Sequence, residues 1–183
     1  MQFFRSLLID AAYSFSRLIN YQYLFVLGKR GELVNLYLNF HDENFYHLAG
    51  LHKLKDIYAS PRMRKGSCLE FLLADAQETN FERSYFYPDI LPRLEILNRL
   101  EAFLDNELLA FRFIQGLAYS KIKADFLLEG KIPVEGRLFV KSLGNSDQYI
   151  STSLTPLADK RLNLLPKYKI LHKQKRLTTE PHE

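Results

Sequence analysis

Hydrophobic residues recur at intervals of three and four along residues 3–19, and this spacing predicts an amphipathic helix at the start of the chain. The pattern then changes to two β-rich runs, 21–27 and 32–38, separated by four residues of which two are glycine. Two such runs at this distance are typical of a β-hairpin. Leu36 and Leu38 alternate with polar neighbours, so we expect solvent on one face of the second strand.

Three further helices are expected between the hairpin and Leu104. The first runs from Asp42, which can cap its start, to Gly50, which can end it. It is only about two turns long, so packing against the rest of the fold must hold it. The second covers 68–75, and the third begins after Ser84 and shows leucines at helical spacing as far as Leu104.

Short β-type runs separated by turn residues fill the second half of the chain. They cover residues 108–114, 122–129, 137–143 and 148–154. Hairpin-like spacing at this frequency indicates a mostly antiparallel sheet. The sequence therefore predicts an α+β fold in which N-terminal helices pack on a mostly antiparallel β-sheet. We assign residues 1–158 to one domain and 159–183 to a basic C-terminal tail.

The composition is that of an ordinary globular domain, with 183 residues, 47% hydrophobic and 25% charged. Disordered and fibrous proteins are excluded. The single cysteine, Cys68, cannot form an internal disulfide or a cysteine-based zinc site. The longest apolar runs are about six or seven residues, far below the ~20 that span a bilayer, so we expect no membrane segment and a cytoplasmic location.

Positive charge is concentrated in two stretches. Residues 159–176 carry seven Lys or Arg residues against Asp159, and residues 53–65 carry five against Asp56. Two such stretches could form one phosphate-binding surface if the fold brings them together. The alternative is that each is a solvated loop or tail.

Most familiar catalytic motifs are absent from the chain. It has no glycine-rich nucleotide loop, no Gly-x-Ser-x-Gly and no His-Glu-x-x-His. His41, His47 and His52 are spaced six and five residues apart, which matches neither a helical zinc pair nor a compact zinc knuckle. We therefore predict neither a metal nor another cofactor.

His47 is the first candidate for chemistry, because it lies in a short apolar helix whose buried side should be formed by Phe45, Leu48 and Ala49. An imidazole at the edge of such a helix is a natural general acid or base. A purely structural histidine is the alternative. Lys53 could reach a phosphate held near the imidazole if the chain turns back at Gly50.

Two further groups of polar side chains accompany the β-runs. Lys121 and Lys123 would share one face of a strand by its two-residue period, with Ser120 beside them as a hydroxyl donor. Lysines at a polar strand edge are the alternative. Ser151 and Ser153 on the last run could hold phosphate oxygens, although hydroxyl residues also favour strands and turns for local reasons.

These side chains suffice for one kind of RNA cleavage without a protein nucleophile. The 2′-hydroxyl of RNA attacks the phosphorus, a side chain removes its proton, cations stabilise the phosphorane, and another group protonates the leaving 5′-oxygen.

The segments 43–57 and 120–128 resemble the fourth of the phage-associated nuclease families grouped with barnase, EndoU, colicin and RelE toxins. The resemblance extends from the first helix to about residue 155. It implies a metal-independent endoribonuclease of barnase/RelE-like architecture, acting as a toxin of phage or mobile-element proteins. It also implies that His47 is the general acid or base and that Lys53, Lys121 and Lys123 bind phosphate, with Lys53 and Lys121 counted among the catalytic residues.

Two other functions remain open. The basic tail and the aromatic residues, 14 Phe and 11 Tyr, could hold RNA or single-stranded DNA without cutting it, although most of the rings lie in runs expected to be core. The chain could instead be a protein-interaction domain whose basic tail meets an acidic partner. For a toxin, that partner would be an inhibitor or immunity protein.

Overall fold

The computed structural model describes residues 6–58, 68–74, 80–118, 120–157 and 164–178. The helices are α1 (Leu7–Leu18), α2 (Phe45–Leu48), α3 (Cys68–Ala74), α4 (Leu91–Asn98), α5 (Leu100–Asp105) and α6 (Gln115–Ala118). The strands are β1 (Tyr21–Lys29), β2 (Glu32–Asn39), β3 (Leu108–Arg112), β4 (Phe126–Gly130), β5 (Gly136–Ser142), β6 (Gln148–Thr155) and β7 (Lys167–Leu177).

Helix α1 confirms the first predicted element, and its start is fixed by a cap. The side chain of Ser6 accepts a hydrogen bond from the backbone N–H of Ile9, which satisfies one of the free donors of the first turn. Its apolar face, with Leu8 and Phe15 fully buried, packs against α4. The helical layer is therefore built around α1.

The hairpin of β1 and β2 is also confirmed, with longer strands and a tighter turn than expected. Only Arg30 and Gly31 lie between the strands, and both have positive φ, 47° and 86°. A two-residue turn with both residues in the left-handed region matches the twist of paired strands, and glycine adopts it without steric cost.

The sheet closes into a barrel in the order β1-β2-β6-β5-β4-β3-β7. The α+β class is confirmed, and six of the seven strand pairings among the described residues are antiparallel, in line with the prediction. The closure of the sheet and the parallel pairing of β2 with β6 were not predicted. Their register sets Leu38 opposite Tyr149. This long-range pair joins the N-terminal hairpin to the C-terminal strands.

The barrel is closed by residues that the sequence assigned to a basic tail. Strand β7 pairs antiparallel with β1 from Tyr21↔Leu177 to Gly28↔Lys169, and with β3 at Ala110↔Tyr168. The ammonium of Lys173 donates to the carbonyl oxygens of Leu104, Asp105 and Asn106 at 2.7–2.9 Å, where helix α5 ends. Residues 158–163, with part of the predicted positive charge, lie outside the described residues.

The barrel wall has a main core on one face and a smaller apolar cluster on the other. Leu138 and Val140 of β5 belong to the main core, together with the buried residues of α1 and α4. Phe139, between them, belongs to the second cluster with Phe113 and Leu127. Alternation along the strand produces this division, because successive side chains point to opposite faces.

The longest predicted helix is interrupted. A single-turn 3-10 helix at Tyr87–Ile90 leads into α4, and Arg99 separates α4 from α5. The expected leucine stripe is retained, since Leu94, Leu97, Leu100 and Leu104 are fully buried. Within the described part of the chain, no helix has both the length and the hydrophobicity needed to cross a bilayer.

Candidate active site

Helix α2 places His47 at the surface, as the sequence predicts. Phe45, Leu48 and Ala49 are fully buried in the main core, whereas His47 is exposed. The turn before the helix is closed by reciprocal bonds between His41 and Asn44, in which the backbone N–H of His41 donates to Asn44 Oδ1 at 3.2 Å. The four-residue helix is thereby held by burial on one side and by the capped 3-10 turn Asp42–Asn44 that leads into it.

Gly50 turns the chain back so that a second histidine follows the first. Its φ of 80° lies in the left-handed region, and the next residues, Leu51–Lys53, form a 3-10 turn. A Cβ at this position would lie 3.0 Å from Arg93 Cδ and 3.1 Å from Ile90 Cγ2. Glycine is therefore required both by the backbone and by the close approach of α4.

Four positively charged or titratable side chains meet at this elbow. The rings of His47 and His52 have centroids 5.1 Å apart and planes inclined at 45°. The charges of Lys53 and Arg93 act on His52, and Arg93 also acts on Lys53. We call His47, His52, Lys53 and Arg93 the basic cluster.

Burial, reinforced by repulsion between positive charges, lowers the pKa values of His52 and Lys53. Partial burial, and then the charges of His47, Arg93 and Lys53, lower the pKa of His52 to about 4, although part of the ring is exposed. Burial, and then Arg93, also lower the pKa of Lys53, against an opposing effect of Asp89. His52 is therefore neutral at neutral pH, with a ring nitrogen free to accept a proton.

Arg93 is the least expected member of the cluster. Its residue is only 8% exposed, and no hydrogen bond or ion pair joins its guanidinium to another residue that the structure describes. Burial lowers its pKa, because removing a cation from water without a counter-charge carries a free-energy penalty. Because a bound anion would remove that penalty, the guanidinium is a candidate phosphate ligand.

Sequence reasoning missed Arg93 and considered His52 only as a metal ligand. The signal for Arg93 was its position between Ile90 and Ile96, three residues from each on the apolar face of a helix, where an arginine is unusual. Among the described residues, no three His, Cys, Asp or Glu side chains come together as possible ligands of a metal ion.

The predicted lysine pair lies in a different element from the one expected. Strand β4 begins at Phe126, so Lys121 and Lys123 precede it in a segment without regular secondary structure, and the prediction of a strand from residue 122 is wrong there. Both lysines are exposed, and Ile122 and Ala124 between and beside them pack on the second cluster. Ser120 Oγ accepts a hydrogen bond from Ile122 N at 3.1 Å, a local contact.

The two serines of β6 lie on opposite faces of the barrel wall. Ser151 is opposite Val140 and Ser153 is opposite Phe139, because a bulge shifts the register between them. Ser151 is 1% exposed, and its Oγ has no hydrogen-bond partner in the described part of the chain. Thr152 Oγ1 contacts the Lys123 carbonyl oxygen at 3.5 Å and the Phe139 carbonyl oxygen at 3.3 Å.

Strand β6 contacts both of the predicted regions, the one around His47 and the one around Lys121 and Lys123. Helices α2 and α4, which carry His47 and Arg93, contact β6, and the backbone of Lys123 is held at its bulge. The structure thus brings His47 and Lys53 into one cluster. No described contact places the ammonium groups of Lys121 and Lys123 in it. Three residues of the first basic stretch, Arg62, Arg64 and Lys65, lie outside the described residues.

Residues 7–179 match the family described as phage-Barnase-EndoU-ColicinE5/D-RelE like nuclease 4, or PBECR4. The chain belongs to the PBECR4 family. The resemblance seen in the sequence is confirmed, and it extends past residue 155 to include β7. No curated protein and no solved structure is similar enough to this chain to count as a match.

Within the PBECR4 family match, the basic cluster combines the groups that phosphodiester cleavage needs. Two neighbouring imidazoles can accept and donate protons, and two cations can bind the oxygens of one phosphate. Among the residues that the structure describes, Asp89 is the one carboxylate found to act on these side chains, and it acts on Lys53. The site is therefore suited to an anionic substrate.

The lowered pKa of His52 predicts a pH dependence of stability. Its neutral form stabilises the fold fully above the ordinary pKa of about 6.5, and this contribution is lost as the pH falls towards about 4, because the unfolded chain takes up the proton first. We expect the free energy of unfolding, measured by urea titration, to decrease over this interval. In His52→Gln the decrease should be smaller.

The exposed His172 on β7 provides the control. His172→Gln should keep the pH dependence of the wild type. An equal dependence in the wild type and His52→Gln would contradict the environment described for His52.

Proposed function

We propose that this protein is an endoribonuclease whose catalytic site is the basic cluster. One observation supports the proposal above all others: two imidazoles with centroids 5.1 Å apart adjoin a buried arginine that has no counter-charge among the described residues. The PBECR4 match supports a nuclease, and the choice of RNA as substrate is our inference.

The reaction needs no nucleophile from the protein. The 2′-oxygen of the substrate forms a bond to phosphorus, and the bond from phosphorus to the 5′-oxygen breaks. The products are a 2′,3′-cyclic phosphate and a free 5′-hydroxyl. His52, neutral at neutral pH, accepts the proton of the 2′-hydroxyl, and protonated His47 donates one to the leaving oxygen. Arg93 and Lys53 bind the non-bridging oxygens as charge develops on them.

Substrate binding also adjusts the strength of the base. With a pKa of about 4, His52 is a weak base in the free protein. A phosphate bound between His52, Lys53 and Arg93 compensates their positive charges and raises the pKa of the imidazole towards the operating pH. Catalysis and phosphate binding are thus coupled through the same cations.

The remaining predicted residues, apart from Ser151, retain their assignments as proposals. Lys121 and Lys123 would bind the RNA backbone on the flank of β6, with Ser120 and Ser153 as hydroxyl ligands. Ser151 is 1% exposed and faces the main core, so its predicted role as a phosphate ligand is not part of the proposal. The exposure of both lysines supports this role. Independence from metal, toxicity and an inhibitor partner are parts of the same proposal.

A chimeric oligonucleotide tests the mechanism directly. The substrate is DNA with a single ribonucleotide, and the reaction contains excess EDTA. We expect cleavage only after the ribonucleotide, with a cyclic phosphate end detected by mass spectrometry. His47→Ala and His52→Ala should each reduce kcat/KM by roughly 100-fold or more, the usual contribution of a general acid or base.

His172→Ala is the matched control, because this histidine is exposed and lies on β7 rather than in the cluster. Its activity should equal that of the wild type. Cleavage of an all-DNA oligonucleotide would contradict attack by the 2′-hydroxyl. Binding of RNA without any cleavage would instead indicate that the protein is a module that binds RNA but does not cut it.

A further inference from the structure

Two tyrosines in the segments that lead to the basic cluster are almost completely exposed. Tyr58 and Tyr85 are each 85% exposed, more than any other large hydrophobic side chain in the described residues. Most aromatic rings in this fold are buried, as expected for groups whose burial contributes about 1.5–3 kcal/mol each. The exposure of these two rings is therefore unusual, and the contacts of their segments indicate its cause.

Asp56 holds the segments of the two tyrosines together. One carboxylate oxygen accepts a hydrogen bond from Ser84 Oγ, and the other accepts one from the backbone N–H of Tyr85 at 2.7 Å. The bond from Ser84 lowers the pKa of Asp56, which favours the ionised carboxylate that accepts both hydrogen bonds. The segment that ends at Tyr58 is thereby fastened to the one that begins at Tyr85.

The ring of Tyr85 is also in contact with a neighbouring aromatic side chain. It lies edge-on to Phe86, with centroids 5.5 Å apart and planes inclined at 86°. Phe86 in turn packs against the main core. This contact limits the orientations of the Tyr85 ring while leaving its face open.

Both segments lead directly into the basic cluster. Asp56 follows Lys53 by three residues, which span at most about 11 Å even when fully extended. In the second segment, Tyr85 precedes Asp89, whose charge acts on Lys53. Arg93 follows Asp89 by four residues. The exposed rings therefore stand within a few nucleotides' reach of a phosphate bound at the cluster.

We infer that Tyr58 and Tyr85 form a base-stacking subsite, and that the substrate is consequently single-stranded RNA. This inference rests on the proposed function for the position of the phosphate. Aromatic rings stack on unpaired bases with little sequence preference, at about 1–3 kcal/mol per base. A duplex cannot use such rings, because its bases already stack on one another. The cations bind the backbone, and the rings select the unpaired strand.

The test compares variants on two substrates of the same ribonucleotide sequence, one unpaired and one held in a hairpin stem. We expect the wild type to cleave the unpaired strand in preference. Tyr85→Ala and Tyr58→Ala should each raise KM for that strand by about 5- to 100-fold with little change in kcat, the equivalent of one lost stacking contact. Tyr85→Phe should restore KM, since the face of the ring is retained.

Leu33→Ala is the control, because Leu33 is 68% exposed on β2 and belongs to neither segment. It should leave KM unchanged. Binding of a non-cleavable 2′-deoxy analogue of the unpaired strand, measured by fluorescence anisotropy, gives a second readout that does not depend on catalysis.

The outcomes separate the subsite from the catalytic proposal. Cleavage with the same KM in the wild type and both alanine variants, and equal cleavage of the stem, would overturn the subsite and leave the nuclease intact. Tyrosine-dependent binding of the analogue without any cleavage would support the subsite and overturn the proposed reaction. Tyrosines needed only to bind a protein inhibitor would leave both RNA measurements unchanged, which also overturns the subsite.

Discussion

Replacing Arg93 with methionine is expected to reduce RNA cleavage strongly while leaving the protein at least as stable as the wild type. The guanidinium is the buried cation of the site, so its loss should reduce kcat/KM by roughly 100-fold or more, as for other groups that bind developing charge. The methionine side chain keeps the apolar stem that packs on Gly50. It also removes a buried charge without a partner, which is unfavourable for folding.

Measurement of kcat/KM together with urea denaturation checks both halves of this expectation. Arg93→Lys is the informative comparison, because it retains a charge but loses the planar fork that binds two phosphate oxygens. We expect it to be intermediate in activity. A stable, fully active Arg93→Met protein would exclude the guanidinium from catalysis, and a destabilised one would show that Arg93 has a structural partner.

Truncation after Leu157 is expected to unfold the protein. The truncated chain lacks β7, so β1 loses a partner along most of its length, and β3 loses its contact with Tyr168. Tyr168 and Ile170 leave the main core, and the carbonyl groups at the end of α5 lose Lys173. Each buried side chain contributes about 1.5–3 kcal/mol, and a whole domain is stable by only about 5–15 kcal/mol.

Circular dichroism and thermal unfolding of the truncated chain measure this effect. The control is the double variant Lys167→Gln and Lys169→Gln, which removes two exposed charges from β7 but keeps the strand. It should unfold at nearly the wild-type temperature. A cooperative transition in the truncated chain would instead show that residues 1–157 form a complete domain and that β7 is an addition to it.

The site shows where reasoning from sequence reaches its limit. His47 was found because an imidazole inside an apolar helix stands out in a local pattern, and Lys53 because a glycine allows the chain to turn back. His52 was discounted because its spacing from His47 fits no metal site. That spacing does not matter for two imidazoles that act as general acid and general base. Arg93 lies 41 residues after His52 in the chain, and no spacing rule connects the two.

The basic segment near the C-terminus is a second instructive case. The alternation of apolar and polar residues is obscured in this segment, because Lys173 and Lys175 are directed towards α5. Lys173 donates to a carbonyl oxygen of α5, and Lys175 donates to an acidic side chain of that helix. Lys175 donates to Glu101 at 2.6 Å and lies 4.5 Å from the centroid of Tyr21. Charged side chains that are satisfied inside a fold have the same sequence signature as those of a solvated tail.

The sequence by itself determined the amphipathic first helix, the hairpin, the α+β class, the family and the exposed histidine of α2. These features depend on periodicity, turn residues and capping, which act over a few neighbouring residues, and on recognisable segments. Only the tertiary structure decided the closure of the barrel, the parallel pairing of β2 with β6 and the meeting of His47 with His52 and Arg93. Those depend on contacts between distant segments, whose free energy comes from shared burial and charge rather than from any local pattern.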